Sequence, residues 1–77
     1  MIREHDIMVL VGELPEHGLK EGDLGTVIHV HRESAGYEVE FMTLCGETVA
    51  VETLEKEKVR PVERHEMHHA RPMQKQA

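Results

Sequence analysis

"YEVEFMTLCGETVAVETL", Tyr37 to Leu54, alternates apolar and polar side chains on both sides of a short break. Tyr37, Val39 and Phe41 share one face of an extended chain, and Glu38 and Glu40 share the other. Gly46 suits the positive φ of a tight hairpin, so Thr48 to Leu54 returns as the antiparallel partner. Val49 and Val51 then face with Tyr37, Val39 and Phe41, or slip by one register. A hairpin with one apolar face needs a core on that face, and the flanking sequence supplies it.

Upstream, Thr26 to His31, "TVIHVH", reads as a strand, and Arg32 to Gly36, "RESAG", turns it into the hairpin. Before it lies "GELPEHGLKEGDLG", Gly12 to Gly25, a long loop anchored by Leu14 and Leu19. Loops of this length without regular structure are uncommon and often functional. At its end, Gly22 and Gly25 permit backbone angles that a side chain opposes, and Asp23 accepts hydrogen bonds from nearby N–H groups. Asp6 to Val11, "DIMVLV", is the first strand. Downstream, Glu55 to Lys58 reads as a polar turn, with room for one turn of 3₁₀ helix. Val59 to Val62, "VRPV", forms a last short strand that Pro61 confines to an edge.

Five short strands, a long first loop, tight middle turns and a one-turn linker predict an all-β fold. The specific form is a five-stranded SH3-like barrel over residues 1–62. A flexible, polar, His-rich tail follows over 63–77, disordered or a short helix. The predicted core is Val9, Leu14, Leu19, Val27, Ile28, Val30, Tyr37, Val39, Phe41, Val49, Val51, Leu54 and Val59.

At 77 residues there is one domain, and a chain this short buries only about 60% of its unfolded surface. The single cysteine, Cys45, forbids an internal disulfide and points to a reducing compartment. The first residues carry no apolar signal segment, and no apolar run approaches the roughly 18 residues that span a bilayer. The expectation is a cytoplasmic protein with no membrane contact. Charge is uneven: thirteen acids face six bases over 1–62, and two acids face three bases over 63–77, giving the formal net of −6.

The Gly-Asp turn before a Gly-x-Val strand resembles the KOW signature of ribosomal and elongation proteins. Phosphate neutralisation needs basic surface and single-strand binding needs aromatic platforms. This domain is acidic, and its Tyr37 and Phe41 lie on the core face, so no nucleic-acid partner is expected. A polyproline groove fails for the same lack of aromatics.

Chemistry-bearing patterns are few. His65-Glu66-Met67-His68-His69 satisfies H-E-x-x-H, but no long helix or cleft accompanies it, and Pro72 ends any helix. His65, His68 and His69 are instead weak, adventitious metal ligands, with His29 and His31 on one strand face as further donors. Cys45 has no positioned base, and Ser34, Thr43, Thr48 and Thr53 have no nucleophile elbow. No enzyme activity, catalytic residue or cofactor is expected.

A broader resemblance rests on "ELPEHGLKEGDLGTVIHV", "YEVEFMTLCGETVAVETL" and "KVRPV". Asp6 to Val62 resembles a family of small uncharacterised bacterial proteins, a domain of unknown function. The resemblance implies a small SH3-like barrel without assigned activity, and an antitoxin-like or accessory role beside a second small protein. Cys45 departs from the family pattern, and the His-rich tail lies outside it. The functional expectation is a non-catalytic protein-binding module. Its contact residues are Leu14, Pro15, Glu16, His17 and Leu19 of the loop, with Glu38 and Glu40 of the acidic strand face. The partner is another protein, with homodimerisation open; a small metal-handling protein is the alternative.

Overall fold

The computed structural model describes residues 2–32 and 35–73. Strands form where the alternating and β-branched runs lie: β1 Ile7–Leu10, β2 Leu24–Val30, β3 Gly36–Met42, β4 Thr48–Glu55 and β5 Val59–Pro61. 3₁₀ turns at Pro15–His17 and Lys56–Lys58 shape two of the connections, and no α-helix occurs among the described residues. The strands make one antiparallel sheet in the order β4-β3-β2-β1-β5. The sheet is open, with β4 and β5 as its ends. Pro61 sits on the end strand, where its missing N–H costs no ladder bond. Among the described residues no helix is long and apolar enough to cross a membrane.

One sheet face carries the core. Met8, Leu10, Val27, Tyr37, Val39, Phe41, Leu54 and Val59 pack together there, joined by Ile2 and by Leu19 of the long loop. Phe41, Met8, Leu10, Val27 and Val39 are the largest side chains closed off from solvent.

Two bulges decide which residues reach that face, and both correct the sequence expectation. In β2 the register shifts between Val27 and His29, so Val27 opposes Val39 and Val30 opposes Tyr37. Ile28 is the extra residue of the bulge and stands exposed. In β3–β4 the register shifts after Phe41, which opposes Ala50, while Met42 opposes Thr48. The inner face of β4 therefore carries Ala50, Glu52 and Leu54, and Val51 is exposed. Val49, the residue the shift leaves over, is half-buried against the core, as are Leu14 and Val30. Ile2, Met8, Leu10 and Ala50 complete the buried set that alternation did not reveal. β1 is buried from Met8 to Leu10 without alternation, because both its faces are covered.

The glycines of the loop end also divide. Gly22 has φ +95° and Gly46 has φ +89°, the left-handed conformations expected of them. Gly25 does not; it lies inside β2, opposite Met8, where its small size rather than its φ is required.

The loop between β1 and β2 is fixed by its own backbone. Leu14 and Leu19 exchange N–H···O bonds of 3.0 and 3.1 Å around the 3₁₀ turn. Gly18 closes that turn at φ 70°. The loop base is tied to β1 by bonds from Leu10 N to Asp23 O and from Gly22 N to Leu10 O. Asp23 Oδ2 accepts from Lys20 N at 2.8 Å, the turn-fixing role read from the sequence.

Candidate functional site

The loop does two things at once. Leu19 is buried and Leu14 half-buried, so both serve the core, while Pro15 and Glu16 stand exposed at the tip. His17 reaches the far end strand: its Nε2 lies 2.9 Å from Glu52 Oε2, with both side chains about two-thirds covered. Glu52 opposes Val39 and so belongs to the core side of the sheet. Glu16, His17 and Glu52 bring one ligand atom each to within 4.8 Å of one another.

Glu38 and Glu40 lie on the opposite face. Glu40 opposes Val51 and accepts a 2.7 Å bond from Thr48 Oγ1; Glu38 opposes Thr53. The seven residues expected to form one contact surface are therefore divided between the two sides of the sheet. His29 and His31 do share the outer face, with ring centroids 5.1 Å apart in an edge-to-face arrangement. Glu4 stands 3.5 Å from His29 and Glu38 stands 3.9 Å from His31. In the tail, His65, His68 and His69 are all exposed on a chain without helix, and they form no ligand cluster among the described residues.

What sequence reasoning missed is an apolar groove of about 820 Å³. Ile7 and Leu24 line it from β1 and β2, Met42 and Leu44 from the β3–β4 hairpin, and Val62 from the end of β5. All five are exposed, Leu44 by 83%. The tail from Glu66 to Arg71, with Met73, forms the other wall.

The tail is placed by two ion pairs. Arg60 donates to both carboxylate oxygens of Glu66, at 2.9 and 2.6 Å, just after β5. Hydrogen bonds from Arg60 and from Glu63 N hold the Glu66 carboxyl down at about 2. Further along, Arg71 Nε donates to Asp23 Oδ1 at 2.9 Å, and Nη2 donates to Asp23 Oδ2 and, at 3.0 Å, to Gly18 O. Burial opposes ionisation of Asp23, but the bonds from Arg71 and Lys20 N outweigh it and keep its carboxyl below the ordinary value. Met73 then packs against the core beside Gly18. A separation of 48 residues hides the Asp23–Arg71 pair from any local reading; the only sequence signal was a lone Arg-Pro in a polar tail.

A single open antiparallel sheet, one long loop folded across its core side and an apolar groove at its rim define a small all-β domain with an open surface groove. The chain belongs to a family described as a domain of unknown function, DUF4926, whose model matches residues 4–61. That match covers the loop and all five strands and stops before the tail. No curated protein and no solved structure matches the chain.

Proposed function

We propose that the chain is a non-catalytic protein-binding module that takes its partner at the rim groove. The observation that carries this reading is the contiguous exposure of Ile7, Leu24, Met42, Leu44 and Val62 around one groove. Scattered exposed apolar side chains are ordinary, but a contiguous set bordered by polar groups is the usual mark of an interaction site. Asp6 and Glu47 border it, Asp23 and Glu66 there are paired with Arg71 and Arg60, and the 1–62 segment is acidic. The complementary partner carries basic charge, which speeds its approach at low salt. The strand order, the long first loop and the 3₁₀ turn before β5 support an SH3-like barrel as the scaffold. A cytoplasmic accessory or antitoxin-like subunit is the role in keeping with this reading.

The test is a pull-down from host lysate with the full chain and with its Leu24→Asp variant. A protein held in stoichiometric amount by the parent and lost by the variant supports the groove. Equal retention by both forms, or retention by neither, refutes it.

One observation favours a second reading, a small metal-handling protein: the Glu16, His17 and Glu52 donors converge. Mixed imidazole and carboxylate donors suit zinc or another first-row divalent ion. Metal content after tag-free purification, compared between the parent and His17→Ala, decides it.

A further inference from the structure

The tail shows what the groove rim recognises. Arg71 meets Asp23 through two parallel N–H···O contacts, the fork-to-carboxylate geometry that selects arginine over lysine. Its third contact, to Gly18 O, uses a carbonyl that the 3₁₀ turn leaves free of the loop's own bonds. Two residues on, Met73 packs against the core with its Cε beside Gly18. Between them Pro72 holds the chain extended and offers no N–H to the sheet. Among the described residues, no backbone–backbone hydrogen bond joins 67–73 to the domain. The segment is held by two side chains and not by a ladder, so it can leave without disturbing the fold.

The two halves of the contact also differ in origin. Gly18 and Asp23 lie inside the family domain, whereas Arg71 and Met73 lie beyond residue 61. The acceptor belongs to the domain, and the tail is attached to it by a tether of nine residues, 62–70, between Pro61 and Arg71. Such a tether holds its end at an effective concentration of about a millimolar.

Resting on the binding-module reading, we propose that the rim formed by Gly18 and Asp23 binds an extended segment of a partner protein bearing an arginine and, two positions later, a long unbranched apolar side chain. The chain's own Arg71-Pro72-Met73 fills that place until the partner displaces it.

The probe is a fluorescently labelled peptide with the sequence of residues 65–73, HEMHHARPM, added to full-length chain and followed by anisotropy. The Arg71→Ala chain, its own tail released, binds the peptide at least tenfold more tightly than the parent chain does. A peptide carrying alanine in place of its arginine loses that binding. Met73→Ala, which removes one of the tail's two anchors and so weakens its competition for the rim, is the second chain variant should Arg71→Ala fold poorly. Equal affinity of the parent and both variants, or undiminished binding of the alanine peptide, overturns the inference. So does a parent chain that runs as a dimer with Arg71 of one copy on Asp23 of the other, since the occupant is then a second copy. The Leu24→Asp pull-down is independent of the peptide, so the module reading can stand when this inference falls.

Discussion

Gly25→Ala is the sharpest test of the packing. A Cβ on Gly25 would lie 2.5 Å from Val39 Cγ1, 3.0 Å from Phe41 Cε1 and 3.1 Å from Met8 Sδ. Carbon atoms in good contact stand about 3.5–4.0 Å apart. The three neighbours are at most 1% exposed and have no solvent side to move toward. Overpacking of this kind costs about 1–3 kcal/mol, and the tight Val39 contact puts this case at the upper end. Replacing glycine also narrows the unfolded ensemble, which returns about 0.4–1 kcal/mol. The net expectation is a loss of about 2 kcal/mol, from a total of about 4–12 kcal/mol at this length. For a domain of this size that lowers Tm by about 8–16 °C. Thermal unfolding followed by far-UV circular dichroism reads it directly. Gly46→Ala is the control: no atom lies within 4 Å of its added Cβ, and only the positive φ opposes it. A Tm for Gly25→Ala within about 2 °C of the parent would refute the close approach of β2 to the core.

Three further outcomes follow from the same contacts. Leu10→Ala, at a site with 0% exposure, lowers stability by about 2–5 kcal/mol, while Ile28→Ala on the bulge stays within about 0.5 kcal/mol; urea midpoints compare the two and test the bulge register. His17→Ala removes the bond to Glu52 and costs about 1 kcal/mol, seen as faster hydrogen exchange at the Gly18 and Leu19 amides with little change in the strands. Acid releases the tail: the Asp23 carboxyl is depressed in the folded chain, so its pairing with Arg71 contributes fully above the ordinary 3.8 and is lost as pH falls through the lower folded value. The Met73 methyl signal in an NMR titration keeps its docked position at pH 5 and moves to the free position below that value; a signal unchanged through the titration contradicts the pairing.

The strands were legible because alternation and β-branching are local signals, and Tyr37 to Phe41 pairs as its pattern dictates. The faces were less legible. Each bulge adds one residue to one strand and reverses the parity beyond it, and nothing in "TVIHVH" marks which residue is surplus. Ile28 and Val51 were placed inward by alternation, and both stand in solvent. The same parity reversal sends Glu52 inward beneath His17, and the expected contact surface divides because the loop folds over that core side while Glu38 and Glu40 face away from it. The groove was hidden for another reason. Ile7, Leu24, Met42 and Val62 lie on four separate stretches, and only the pairing of β1 with β2 and β5 brings most of them together. The Arg71 contact depends on a fold-back that no periodicity encodes.

Glu52 has a further consequence at the end of the sheet. β4 runs for eight residues with its outer ladder groups unpaired, a template for another strand. A strand arriving there would extend the core side past Glu52, placing an apolar side chain against a carboxylate already committed to His17. Growth along the ladder thus meets a charge near its midpoint, which works against the longest strand of the domain recruiting a copy of itself.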